Sequence, residues 1–277
     1  MVEPVVKLKD IAYTYPDGTK VTVGGLDISI MRGERIAILG ANGAGKTTLL
    51  LHILGLLSPT DGEITVLGKN PYKDFKDIRK DIGVVFQNVD EQIIGPTVYD
   101  DIGFTPFNDG MAKDRVDMLI KDIAQKMHID GLLDKIVHYL SGGEKKKVAL
   151  AAALVGNPEI LILDEPFNGL DPRSKKELIG YIDELRKERY MTIITATHDI
   201  DLVASIADTV YILSEGNVVL KGDPGAVFSN REEIERANLE PPILTKLFRG
   251  ISDEGYDLGI PKDVDEAKDI IINALRE

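Results

Sequence analysis

Short unbroken apolar runs alternate along this chain with longer stretches in which apolar residues recur every three or four positions, a pattern of strands followed by helices. "RIAILG" (35–40) predicts a buried strand, and "KTTLLLHILGLL" (46–57) a helix beyond a glycine-rich loop. A turn at "SPTDG" (58–62) separates that helix from a strand holding "EITVLG" (63–68), and the first 35 residues offer short β-type runs broken by "PDGT" (16–19). From about 90 to 155 the pattern turns helical, with "RVDMLIKDIAQKM" (115–127) placing Val116, Leu119, Ile120 and Ile123 on one face, and this segment reads as a helical insertion. Strand character returns at "EILILDEP" (159–166), "MTIITATH" (191–198) and "TVYILSEGNVVLKG" (209–222), with a helix near 173–189 between the first two. Strands alternating with helices predict a mainly parallel α/β sheet. Beyond about 231 "EPP" (240–242) interrupts regular structure, and "DEAKDIIINALRE" (265–277) is amphipathic.

Composition narrows this picture. The 277 residues can bury a full core as one large or two smaller domains, and 43% apolar with 29% charged residues describes a soluble globular protein. The longest strongly apolar stretch, "TLLLHILGLL" (48–57), has about half of the roughly 20 residues a spanning helix needs. "MVEPVVKLKD" at the start lacks the apolar core and cleavage site of a secretory signal, so a cytoplasmic protein is expected. There is no cysteine, which excludes disulfides and thiolate metal sites. A net charge of −13 opposes binding to nucleic acid through a broad basic surface.

The chemistry concentrates in a few places. "GANGAGKT" (40–47) fits the phosphate-loop pattern between a predicted strand and helix. Gly40, Gly43 and Gly45, with Asn42 and Ala44 between them, bring backbone N–H groups to phosphate oxygens at a helix N-terminus. Lys46 is expected to pair with the β and γ phosphates, Thr47 to ligate Mg²⁺, and Thr48 to add a phosphate contact. Asp164 and Glu165 end the apolar run "ILILDEP" (160–166), where nucleotide hydrolysis needs one carboxylate on the metal side and a second to activate water. Adjacent strand positions diverge, which gives Asp164 the metal and Glu165 the role of base. His198 stands at another strand end and can donate to the γ-phosphate; Gln87, after "IGVVF" (82–86), can contact Mg²⁺ or the attacking water. Tyr13 and Tyr15 share a strand face by period two, and either ring can stack on adenine or simply pack. His52, His128 and His138 are read as packing residues.

"LSGGEKKKVALAAALVG" (140–156) begins a helix with a capping box, Ser141 and Glu144, yet places Gly142 and Gly143 in the first turn. Each costs up to about 1 kcal/mol relative to alanine there. Bare N–H groups at a helix start make a second anion site. The series of Tyr15, "GANGAGKT", Gln87, "LSGGE", "ILILDEP", "GLD" (169–171) and His198 resembles the nucleotide-binding subunit of ATP-binding-cassette (ABC) proteins over roughly residues 5–225.

That resemblance implies an α/β P-loop NTPase core with a mainly parallel sheet, an N-terminal antiparallel β subdomain and a helical subdomain at about 88–157. The ATPase domain would span 1–230, followed by a mostly helical extension over 231–277. ATP and Mg²⁺ would be the cofactors, and two subunits would join head to tail around two nucleotides. Ser141, Gly142, Gly143 and Glu144 would then face the ATP held by the partner, Tyr15 the adenine, Gln87 and His198 switching roles, and Asp171 an intersubunit contact.

A narrower likeness in "VFQNVDEQIIGPTVYDDIGFTPFNDG" (85–110) and "LSGGEKKKVALA" (140–151) is to the ATPase subunits of energy-coupling-factor and cobalt importers. Glu144 replaces the commoner glutamine, and Val89 the usual proline after Asn88. The resemblance implies a peripheral protein on the cytoplasmic face of the cell membrane. Its partners would be a second copy or a paralogous ATPase, and integral membrane subunits docked on the helical subdomain. A soluble ABC ATPase of DNA repair or translation would carry a long coiled coil or two cassettes, and a small-molecule kinase would not explain "LSGGE".

Overall fold

The structure, a computed structural model, describes residues 3–25, 27–256, 258–261 and 263–275. Its centre is five parallel strands: β4 (Arg35–Leu39), β6 (Ile82–Val85), β7 (Ile160–Asp164), β8 (Thr192–Thr197) and β9 (Thr209–Ser214), in lateral order β9-β4-β8-β7-β6. β7 and β8 are buried at every position, which is why they read as continuous apolar runs rather than alternating ones. Alternate residues point to opposite faces. Ile36, Ile38, Ile160, Ile162 and Ile194 pack under α1 (Lys46–Ile53), while Leu161, Leu163 and Ile193 pack on the other face.

The antiparallel part is built on β1 (Val6–Thr14), which pairs with β2 (Lys20–Gly25), β3 (Ile28–Ile30) and β5 (Asp61–Val66). It joins the parallel part through β10 (Asn217–Gly222), parallel to β2 and antiparallel to β9. Glu215 and Gly216 at the β9–β10 turn both have positive φ, 47° and 77°, the twist a tight hairpin requires.

The short helix α2 (Phe75–Ile78) precedes β6, and between β6 and β7 the chain forms α3 (Val89–Gln92), α4 (Val98–Asn108), α5 (Lys113–Lys126) and α6 (Gly142–Leu154). Val116, Ile120 and Ile123 of α5 are buried and Leu119 is half-buried beside them, as the periodicity predicts. They do not close a separate core, because one cluster joins them to Leu161 and Leu163 of the sheet and to Leu178 and Ile182 of α7 (Pro172–Arg189).

The helix predicted over 46–57 stops at Ile53. Gly55 takes φ 70°, its N–H bonds the His52 carbonyl at 3.0 Å and the Leu56 N–H bonds the Leu51 carbonyl at 2.9 Å, a glycine-terminated helix end. A side chain at Gly55 would lie 2.2 Å from the Pro71 carbonyl oxygen, so the stop is enforced by the neighbouring loop as well.

After α8 (Ile200–Ile206) the C-terminal region forms α9 (Pro224–Ser229), α10 (Arg231–Arg236), α11 (Ile243–Asp253) and α12 (Val264–Ala274). Ile234 and Ala237 pack with Val203, Val210, Ile212 and Phe228, so the extension begins on the flank of the core. The Ile243 N–H donates to Asp201 on α8 at 2.8 Å, tying α11 to the segment that follows His198.

Candidate functional site

Four segments at the carboxyl ends of adjacent parallel strands bring most of the predicted nucleotide-site residues together: residues 40–48 after β4, Gln87 after β6, Asp164 and Glu165 at the end of β7, and His198 after β8. Open α/β sheets bind ligands in that crevice. Here it is a cleft of about 420 Å³ lined by Asn42, Gly43, Gly45, Lys46, Thr47, Thr48, Gln87, Asp164, Glu165 and His198, together with Val21 and Asn168.

Gly43 and Gly45 have φ of 82° and 101°, and Gly45 opens α1 with no side chain capping it. The first N–H groups of α1 therefore turn toward the cleft, where the helix end favours an anion. Gly40 is needed for a different reason: a Cβ there would stand 2.6 Å from the Leu213 carbonyl oxygen on β9. Lys46 is buried, with Nζ 2.7 Å from the Gly40 carbonyl, 3.3 Å from that of Ala41 and 3.6 Å from Glu165.

The two carboxylates occupy different environments. Asp164 Oδ2 accepts from the Thr47 hydroxyl at 3.0 Å, whereas its Oδ1 is buried with no protein partner. Burial pushes the Asp164 carboxyl up, helped by the charge of Glu165 and opposed by the Thr47 hydrogen bond and the Lys46 charge. A buried, unpartnered carboxylate oxygen beside a hydroxyl is a hard-oxygen donor pair that fits Mg²⁺. No group of three or more His, Asp or Glu side chains forms a ligand cluster among the described residues. Magnesium usually keeps waters and takes substrate phosphates, so one carboxylate and one hydroxyl suffice for it.

Glu165 has φ 47°, a left-handed backbone that glutamate rarely adopts. Its N–H bonds the Ala196 carbonyl at 2.9 Å, Oε1 lies 2.9 Å from His198 Nδ1 and Oε2 accepts from the Thr197 hydroxyl at 3.3 Å. The strained turn thus aims Glu165 across the cleft at His198, while Asp164 stays on the strand and faces Thr47.

Tyr15 lies just past the end of β1; its hydroxyl is 2.9 Å from that of Thr48 and its ring meets Tyr13 edge-on at 4.9 Å. Thr48 is therefore committed to Tyr15 within the chain. His52, one turn further along α1, is fully buried with Nδ1 2.7 Å from the Thr48 carbonyl and an edge-on contact to Tyr13, in keeping with packing.

The helix start at Ser141 forms the predicted capping box. The Glu144 carboxylate accepts from the Ser141 N–H and hydroxyl, both at 2.8 Å, and the Ser141 oxygen accepts from the Glu144 N–H at 3.3 Å. None of Ser141, Gly142, Gly143 and Glu144 lines the cleft. Neither glycine has a positive φ; a Cβ at 142 would meet open space, and one at 143 only ordinary contacts at 3.7 Å with Leu170 and Ser174. Asp171 also lies outside the cleft and caps α7, accepting from the N–H groups of Arg173 and Ser174 and from the Ser174 hydroxyl.

A profile of the ABC transporter family matches residues 23–168. The energy-coupling factor transporter ATP-binding protein EcfA of Methanocaldococcus jannaschii is 40% identical over 283 residues, covering 99% of each chain. This chain is an ABC ATPase of the energy-coupling-factor family. A putative ABC transporter ATP-binding protein of Methanothermobacter marburgensis is 42% identical over 253 residues, 90% of each chain. The solved structure of cbiO1 from Clostridium perfringens, described as part of the ABC transporter complex cbiONQ, superposes with a TM-score of 0.76 at 39% identity, covering 89% of this chain and 99% of that one.

Two cleft residues of the ABC ATPase were not found from sequence. Val21 reaches the cleft from β2, opposite Tyr13 in the ladder, a position that no local motif marks. Asn168 had a signal, being four residues beyond Asp164 in the loop that carries Glu165.

Asp164 gives a stability prediction. A carboxyl whose folded pKa is raised stabilises the fold fully below its unfolded value of about 4, and loses that contribution as pH rises through the folded value. Asp164→Asn is therefore expected to raise the melting temperature of the nucleotide-free chain at neutral pH. It should also flatten the stability decline above pH about 4 and remove Mg²⁺-dependent turnover. Melting curves at several pH values, beside a phosphate-release assay, check all three; an unchanged pH profile would show that Asp164 is not the disfavoured charge.

Proposed function

We propose that two chains of this ATPase, or this chain and a paralogue, close head to tail around two Mg²⁺-ATP molecules and drive import of a metal ion (cobalt or nickel) or a vitamin through membrane subunits. The observation that carries the head-to-tail reading is the pair Gly142 and Gly143. They leave bare N–H groups at an exposed helix start, outside the chain's own cleft, with no backbone or packing demand for glycine within the chain. A nucleotide held by a second subunit supplies the missing reason. The capping box leaves this role open, since it engages Ser141 and Glu144 and keeps the glycine amides free of side-chain cover.

Within one site, Lys46 and the α1 N-terminus would bind the β and γ phosphates, and Tyr15 and Val21 would border the base. Mg²⁺, held by Thr47 and Asp164, would neutralise phosphate charge as it does in phosphate-loop ATPases generally. Glu165 would take the proton of the attacking water, His198 would hold Glu165 and donate to the γ-phosphate, and Gln87 would report the site to α3. Asp171, placed at the α7 start, would meet the partner. ATP closes such a dimer only by binding the closed state more tightly, and the second subunit's amides provide that difference.

A groove of about 570 Å³ between the core and the helical insertion supports docking of a membrane subunit; Phe75, Ile94 and Phe104 face it with Arg79 and Asp109 at its side. Asp101 accepts from the Ile94 and Gly95 N–H groups at 2.9 and 3.0 Å, which holds Ile94 outward with 61% of its surface exposed. An amphipathic helix fits such a groove. No described helix of this chain is long and apolar enough to cross a membrane. The chain would sit at the cytoplasmic face through its contact with the membrane subunits.

Phe104→Asp is expected to release the chain from detergent-solubilised membrane subunits, while the free chain hydrolyses ATP within about twofold of the parent rate. Co-purification with tagged chain measures the first and phosphate release the second; full retention would place docking elsewhere. Uptake of labelled cobalt, nickel and vitamins by membranes containing the complex decides the substrate, and uptake that persists without ATP hydrolysis would refute the transport reading.

A further inference from the structure

Three successive lysines after the capping box, Lys145, Lys146 and Lys147, leave α6 in three directions. Lys145 reaches Asp90 at the start of α3 at 2.5 Å, and Lys147 reaches Glu177 on α7 at 3.0 Å. Both are ordinary ion pairs. Lys146 instead donates to main-chain carbonyls, those of Pro166 at 2.9 Å and of Asn168. These carbonyls belong to the loop that begins at Glu165, and Asn168 itself lines the nucleotide cleft.

Of the three lysines, Lys146 differs in having carbonyls rather than a carboxylate at its head group. Burial pushes the Lys146 ammonium down, and only the charge of Glu165 favours it. That arrangement makes sense if the geometry of the loop is what the contact secures. Glu165 has a left-handed backbone, the Asn168 N–H bonds the Glu165 carbonyl at 3.2 Å, and Gly169 turns again with φ 72°. A turn of this kind has few bonds of its own to hold it, and two charge-assisted bonds from one cation fix both sides of Phe167 at once. The same helix is capped by Ser141, about one and a half turns before Lys146.

We propose that Lys146 is a positioning residue for Glu165, joining the helix start that faces the partner's nucleotide to the loop that aims the base at the chain's own nucleotide. The inference rests on the head-to-tail reading above. Displacement of the α6 start by a bound partner nucleotide moves the Lys146 head group and, through two carbonyls, the Glu165 turn. A 1 Å error in such a group can cost about 10²-fold in rate.

The test uses the purified full chain with Mg²⁺-ATP. Lys146→Met is expected to lower kcat by about 10–100-fold with the dissociation constant for ATP unchanged within about twofold, and to bring the Hill coefficient for ATP to one. Lys146→Arg, which can still donate to both carbonyls, should recover most of kcat, and Lys145→Met should stay within about twofold of the parent. Loss of ATP affinity and melting temperature in parallel with kcat, or no rescue by arginine, would reduce Lys146 to a packing residue and overturn the proposal, as would undiminished turnover in Lys146→Met. Light scattering of Glu165→Gln chains with ATP separates the two readings. If chains that retain Lys146 form no ATP-stabilised dimer, either alone or with a co-purified paralogue, the head-to-tail reading falls; if they dimerise and Lys146→Met turns over normally, the Lys146 proposal alone falls.

Discussion

Glu165→Gln is expected to leave ATP binding intact while cutting turnover by about 10²–10⁴-fold, the contribution of a general base. The amide is isosteric with the carboxylate, so its oxygen can still accept from Thr197 and the left-handed turn held by Ala196 need not move. What disappears is the negative charge, and with it the ability to take a proton from water. The charge 3.6 Å from Lys46 is lost as well, which frees the lysine for phosphate and favours nucleotide binding. ATP-bound dimers should therefore accumulate. Phosphate release at saturating ATP measures the first effect, and gel filtration with ATP the second. Hydrolysis at the parent rate would remove Glu165 from the role of base.

Lys46→Ala is expected to weaken ATP binding by about 10²-fold or more, on the scale of one or two charge-assisted hydrogen bonds lost. The side chain is 7% exposed and ends among the Gly40 and Ala41 carbonyls and Glu165, so its removal leaves a cationic site empty beside two acids. Asp164 loses one of the two influences that hold its pKa down, and so becomes still less willing to ionise. Lys46→Arg should not restore function, since the bulkier guanidinium cannot enter the buried space that the compact ammonium fills among the Gly40 and Ala41 carbonyls and Glu165. Equilibrium binding of ATP to the full chain checks both variants, and parent affinity in Lys46→Ala would refute the phosphate-loop assignment.

Much of the site was legible because its parts are local. The glycine loop, the strand-end acids and the capping box each depend on backbone conformation within a few residues, and each appears where the sequence placed it. His198 and Glu165 are 33 residues apart, yet both were legible as ends of apolar strands. Other features depended on contacts that no window of sequence contains. Gly40 reads as a phosphate glycine, but its tightest constraint is the Leu213 carbonyl on another strand. The apolar pattern after Lys46 runs four residues past the helix end, because the stop at Gly55 is set partly by Pro71.

The sequence by itself determined which groups can do chemistry and in what order they occur, since phosphate binding and helix capping are written in short-range backbone demands. Tertiary structure decided which groups meet. It set the lateral order of the parallel strands, which gathers four loops into one cleft and leaves Ser141–Glu144 outside it. It also sent Lys146, indistinguishable in sequence from its two neighbours, to the carbonyls behind Glu165. Those outcomes turn on burial and on hydrogen bonds between distant segments, and a side chain's direction is fixed only when its neighbours are in place.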